Sequence, residues 1–90
     1  MENGIRSRYE LTPHAIQQAL WRGIAEDEIW ETLENPEQTI GLIAGRVVYQ
    51  RRQLIEGKVY LLRVFVETNV EPQRVITVYR TSKVNKYWQR

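Results

Sequence analysis

His14, Arg63, Tyr79 and the cationic end Arg80-Thr81-Ser82-Lys83 are the residues whose types and placing could do chemistry. His14 is the only histidine, directly after Thr12-Pro13. That is the second position of an expected helix, where nearby N–H groups disfavour imidazolium and suit a proton acceptor. A capping or packing role is the alternative. Arg63 interrupts the apolar run Val59 to Val66, and an arginine there must find a partner or water. Its planar donor fork suits a phosphate, and an ion pair with Glu67 on the same face is the other reading. Tyr49 and Tyr79 could stack on bases or donate protons, or simply pack with their hydroxyls in water. Arg80, Lys83 and Lys86 could close over a polyanion, although Lys86 also reads as part of a solvated tail.

Other chemistries find no residues to carry them. The chain has no cysteine, so disulfides, thiolate metal sites and cysteine nucleophiles are excluded. No glycine-rich phosphate loop, carboxylate pair beside a histidine cluster or Ser/His/Asp spacing is present. The expectation is a site without metal or cofactor.

These side chains need elements to hold them. Thr12-Pro13 reads as an N-cap with proline at the first helical position, and Gly23 as a C-terminal stop, giving a helix Pro13 to Arg22 with Ala15, Ala19 and Leu20 inward. A second helix, Glu26 to Glu34, places Ile29, Trp30 and Leu33 on one stripe and carboxylates in its first turn; Asn35-Pro36 ends it. Segments rich in Val, Ile, Tyr and Thr follow as strands: Gln38 to Ile43, Arg46 to Leu54, Lys58 to Thr68 and Arg74 to Ser82. Ala44-Gly45 and Glu56-Gly57 read as hairpin turns, and Asn69 to Gln73 as a longer loop. The predicted fold is α+β, two N-terminal helices packed on one face of a four-stranded antiparallel sheet. It forms one domain over residues 1–90, with its core in 11–88 and residues 1–8 a flexible leading segment.

Alternation sorts Val48, Leu62, Val64, Val66, Ile76 and Val78 toward the helices. The opposite set is Val47, Tyr49, Arg51 and Gln53; Leu61, Arg63, Phe65 and Glu67; and Val75, Thr77, Tyr79 and Thr81. An open face with Tyr49, Arg51, Arg63, Thr77, Tyr79 and Thr81 is aromatic and basic, a composition that holds single-stranded RNA. Trp21, Trp30 and Trp88 are assigned to the core.

The 90 residues are 42% hydrophobic, 10% aromatic and 27% charged, a globular rather than disordered composition. The net charge of +2 hides an asymmetry: residues 1–45 set Arg6, Arg8 and Arg22 against eight carboxylates (−5), and residues 46–90 set ten cations against three carboxylates (+7). The second half is a candidate polyanion surface, or a solvated basic face. No signal core or membrane span is read, and a reducing, cytoplasmic setting is expected.

The stretches LTPHAIQQALWRGI, EIWETLENPE, GRVVYQ, LLRVFV and VITVYRTSKVNKYW resemble the domain of unknown function 4258 family over roughly residues 11 to 88. That family resembles in turn the small RelE and BrnT toxins, helices plus an antiparallel sheet, many of them RNA-cleaving and neutralised by an antitoxin. The resemblance marks His14, Arg22, Gly23, Arg46, Tyr49, Arg63, Thr77, Tyr79, Arg80, Thr81, Ser82 and Lys83, and also Lys86, Tyr87 and Trp88. Gln18-Ala19 departs from an Arg-Met pair found in many relatives.

It implies a toxin-like protein with RNA as substrate and a cognate antitoxin as partner, cleaving RNA without metal. Such cleavage needs a base, donors for the charge growing on phosphate, and an acid for the leaving oxygen. His14 would be base or acid, with Arg63 and Arg80 stabilising the phosphate. Tyr79 and Lys83 would position the strand, with Tyr49, Arg46, Arg51, Thr81 and Lys86 along its path. The alternative is a non-catalytic module whose basic face receives nucleic acid or an acidic peptide. The sequence leaves the oligomeric state open.

Overall fold

Thr12 starts the first long helix with its side chain in two bonds. Its Oγ1 accepts the Ala15 N–H at 3.2 Å and donates to the Val75 carbonyl at 2.9 Å, so one cap also fixes the helix to the sheet. The computed structural model describes residues 4–90. The order is α1 (Gly4–Ser7), β1 (Tyr9–Leu11), α2 (Pro13–Trp21), α3 (Glu26–Glu34), β2 (Gln38–Gly41), β3 (Arg46–Ile55), β4 (Lys58–Glu67), β5 (Gln73–Thr81) and α4 (Val84–Tyr87). Of the expected leading segment, residues 1–3 lie outside the described residues, and Gly4–Ser7 form a helical turn.

The fold is α+β, but its sheet is five-stranded and mixed, not four-stranded and antiparallel. The strand order is β1-β5-β4-β3-β2, with β1 parallel to β5 and every other pairing antiparallel. The added strand has only three residues, too short for a periodicity to announce itself. Both hairpins turn where glycine allows it: Ala44-Gly45 at φ 60° and 72°, Glu56-Gly57 at φ 50° and 79°. Two successive positive φ values match the twist of the flanking strands.

Between the helices and the sheet lie Ala15, Ala19, Ile24, Ile29, Trp30 and Leu33, facing Leu62, Val64, Val66, Val75 and Val78, with Tyr9, Leu11 and Tyr49 at the margin. This places β4 as its alternation predicts and corrects β3, which is out of phase. Tyr49 pairs with Val64 and Arg51 with Leu62, so Tyr49 and Arg51 face the helices while Val48 faces away. In β5 a bulge opposite Phe65/Val66 lets Val75 pair with Val66 and Thr77 with Phe65, so Ile76 is the extra residue. Val75, not Ile76, is therefore core. Trp30 is core as expected, whereas Trp21 and Leu20, each 75% exposed, stand on the outer surface of α2.

Beyond Val75 the outer edge of β5 has no neighbouring strand among the described residues, and α2 takes that place with side chains. Gln18 Oε1 accepts the Val78 N–H at 3.1 Å, and Arg22 donates to the Val78 carbonyl at 2.8 Å. Both backbone groups of Val78 are thus satisfied on that side. Arg22 and Gln18 are held by this structural task.

Arg80 ties the layers together. It donates to Glu28 at 2.7 Å, Gln53 at 2.8 Å and the Gly23 carbonyl at 2.9 Å. Burial alone would raise the Glu28 carboxyl, but the Ala25 N–H, the Gln53 amide and Arg80 outweigh it and hold the group below its ordinary 4.5. A folded-state pKa below the unfolded one gives stability that is complete above the ordinary value and lost as pH falls through the folded one. Arg80→Ala is expected to cost about 2 kcal/mol. Glu28→Gln should lower Tm near neutral pH, and its melting curves should converge with the wild type on acidification below pH 4.5; thermal melts across pH check both.

Candidate functional site

The sheet face away from the helices is only partly open, because the C-terminal segment folds back across it. Its anchors are glutamines. Gln38 donates to the Gln89 carbonyl at 2.6 Å and accepts the Gln89 N–H at 3.0 Å, while Gln50 donates to the Tyr87 carbonyl at 3.1 Å and to Gln38 Oε1 at 2.8 Å. Trp88 lies under the Arg52 guanidinium, 4.2 Å from its ring centre.

Arg63 is at the centre of this face and only 9% exposed. Nε donates to Gln50 Oε1 at 2.9 Å and Nη1 to the Tyr79 hydroxyl at 2.7 Å. Its Cζ is 4.3 Å from the Tyr87 ring centre and 5.2 Å from that of Phe65, contacts in which ring faces attract the cation. Among the described residues no carboxylate is within ion-pairing distance of it. The Glu67 pair does not form: Glu67 faces Arg46 and Arg74 further along the ladder. Among the described residues, only neutral dipoles and rings hold this buried charge.

Around it the face is aromatic and cationic. Phe65 and Tyr79 stack at 5.9 Å with 23° between planes, and Tyr79 meets Tyr87 edge-on at 6.3 Å. Lys86 Nζ is 5.3 Å from the Tyr87 ring centre. The Tyr87 phenol is held below the ordinary 10.0, first by the neighbouring Tyr79 hydroxyl and then, against desolvation, by Lys86 and Arg63. An open groove of about 560 Å³ adjoins, lined by Arg52, Val59, Lys83 and Lys86 together with Ser82, Val84 and Asn85. Thr81 borders it, accepting the Lys83 N–H at 3.0 Å. These groups can bind a phosphate at a cation, stack a base, and exchange a proton at a tyrosine.

Arg63, Tyr79, Thr81, Lys83 and Lys86 share this face, but the other expected site residues do not join them. His14 is exposed on α2, in the helix layer, because Ala15 and Ala19 take the inward positions; its neighbours are Pro13, Ile16, Gln17 and Leu20. Arg80 points to the helices and is consumed by Glu28, Gln53 and Gly23. Tyr49 is on the helix side, its hydroxyl 3.5 Å from that of Tyr9. Arg51 donates to the Asn35 carbonyl at 2.8 Å and lies 3.8 Å from Glu31. Arg46 is exposed at the far end of β3, opposite Glu67. Sequence reasoning missed Gln50 and Gln38, and gave Tyr87 only as part of a resemblance; a polar glutamine between Tyr49 and Arg51 carries no signal until register is known.

Among the described residues no cluster of His, Asp and Glu could hold a metal ion, and no helix is long and apolar enough to cross a membrane. The family model for the domain of unknown function DUF4258 matches residues 11–80. The chain belongs to that family. No curated protein and no solved structure matches it.

The tyrosines should titrate apart. Tyr9 is pushed up to about 12, by burial first and then by its hydrogen bond with Tyr49, while Tyr87 ionises below 10.0. Tyrosinate absorbance against pH should show an early step that Tyr87→Phe removes and a last step that Tyr9→Phe removes. Unchanged curves in both variants would contradict the described surroundings of the two phenols.

Proposed function

We propose that this chain is a toxin-like RNA-binding protein, of the RelE and BrnT type, that cleaves single-stranded RNA without metal on the face centred on Arg63. The observation that carries the reading is the Arg63 guanidinium, buried among Gln50, Tyr79 and Tyr87 with no carboxylate of the described residues beside it. A buried cation without a counter-charge is costly, and an incoming phosphate supplies that charge through charge-assisted hydrogen bonds. Tyr79 and Phe65 offer ring faces to a base, and Lys83 and Lys86 continue the positive path.

In this reading Tyr87, not His14, is the base: its phenolate form takes the proton from the attacking 2′-hydroxyl and becomes the neutral phenol. The 2′-oxygen bonds to phosphorus, Arg63 stabilises the charge on the phosphate oxygens, and the 5′-oxygen departs with a proton from Lys86. The products are a 2′,3′-cyclic phosphate and a free 5′-hydroxyl. Tyr79 and Lys83 position the strand. A cognate antitoxin would act by covering this face.

The test is cleavage of a single-stranded RNA in EDTA by purified protein, with binding measured alongside. Cleavage should fall about 100-fold or more in Arg63→Met and by a comparable factor in Tyr87→Phe, while His14→Ala stays at the wild-type rate. Loss of cleavage in His14→Ala would overturn the site. Salt-sensitive binding without turnover would leave a non-catalytic binding module in place of the enzyme.

A further inference from the structure

Gln50 is 0% exposed and makes three hydrogen bonds that no other side chain of its shape could make together. Its Oε1 must accept, because its partner is Arg63 Nε at 2.9 Å, and an arginine has no acceptor. Its Nε2 must donate, because its partners are Gln38 Oε1 at 2.8 Å and the Tyr87 carbonyl at 3.1 Å. A glutamate at this place would be acceptor-only when ionised. It would pair with Arg63, but it would set a carboxylate oxygen against the two acceptors that Gln50 now satisfies. A methionine would fill the volume and serve none of the three partners. The anchoring of the C-terminal segment therefore requires an amide at position 50, and an amide brings no negative charge to Arg63.

We propose that Gln50 is the positioning and specificity-determining residue of this face. It fixes the guanidinium plane through Nε, anchors the Tyr87 backbone whose ring packs against the guanidinium, and by its neutrality keeps the full charge of Arg63 available to a phosphate. This deepens the RNA reading above and rests on it for the identity of the substrate, not for the anion preference. Tyr87 is the meeting point of the two effects. Its ring centre is 4.3 Å from Arg63 Cζ and 5.3 Å from Lys86 Nζ, so the two cations are no further apart than those distances laid end to end. Both cations therefore border the same tyrosine, so an anion drawn to this face feels the charge of both while Tyr87 stays anchored. The inward-facing arginines of the other layer show the contrast: Arg80 and Arg51 each have a glutamate beside them that already matches their charge.

Gln50→Glu and Gln50→Met separate charge from orientation. Two probes are used with each full-length protein: inorganic phosphate, followed by the Arg63 Nε–H NMR resonance, and a fluorescein-labelled oligouridylate, followed by anisotropy over a range of salt. The wild-type Arg63 resonance should move on phosphate addition. Gln50→Glu should abolish that movement, weaken oligouridylate binding at least about tenfold and reduce the salt slope by about one contact. Gln50→Met should weaken binding with the salt slope unchanged, since the charge stays while its orientation is lost. In both, the early tyrosine titration should move up toward the ordinary value. The proposal is overturned if the wild-type Arg63 resonance ignores phosphate, or if a folded Gln50→Glu binds both probes as the wild type does. It is equally overturned if Gln50→Met retains wild-type affinity, a result readable even where the glutamate variant does not fold. Movement of Arg63 by phosphate with no binding of oligouridylate would support the Gln50 assignment and overturn RNA as its ligand.

Discussion

A guanidinium removed from water must be compensated, and the sheet face of this protein is organised by how Arg63 meets that demand. Gln50 and Tyr79 satisfy two of its N–H groups and aromatic faces cover its plane, but dipoles and rings leave the charge itself unmatched. The arrangement explains why the C-terminal segment lies where it does. Its Tyr87 ring shields the cation, and its backbone is tied to the same glutamine that orients the cation. The anchoring of the tail and the placing of the charged centre rest on the same two residues, Gln50 and Tyr87.

The remaining cations show what a closed site looks like. The basic excess of the second half of the sequence suggests a broad polyanion surface, yet folding brings carboxylates of the first half onto it: Glu10 to Arg74, Glu28 to Arg80, Glu31 to Arg51 and Glu37 to Arg52. Each of these pairs joins one half of the chain to the other. The charge asymmetry is mainly a record of how the N-terminal helices and strand recognise the sheet. Among the described residues, what remains without a carboxylate partner near the C-terminal segment is Arg63, Lys83, Lys86 and Arg90, a far narrower surface than the count of basic residues implies.

Much of the fold was legible from local chemistry. Thr12-Pro13, Gly23 and Asn35-Pro36 bound the helices, and Ala44-Gly45 and Glu56-Gly57 mark both hairpins, where the structure has them. The phase of β3 was not legible from alternation, because Val47-Val48 and Arg51-Arg52 offer either face the same residue types. The hairpin held the answer: a two-residue turn at Glu56-Gly57 sets Ile55 against Lys58 and hence Tyr49 against Val64, so Tyr49 must share the face of a core valine. The bulge at Ile76 has no such marker. His14 and Arg80 were misplaced for different reasons, one because a helix start says nothing about which layer the helix joins, the other because Arg80 and Tyr79 are neighbours in sequence but face opposite sides of a strand.

The central claim is that an anionic strand docks on the face of Arg63 and not on the helix layer. NMR mapping with a short single-stranded oligoribonucleotide tests it most directly. The account predicts shifts concentrated at Arg63, Tyr79, Lys83 and Tyr87, weakening as salt is raised, with His14 and the outer surface of α2 unmoved. Shifts confined to α2 around His14, or no shifts at low salt, would contradict it.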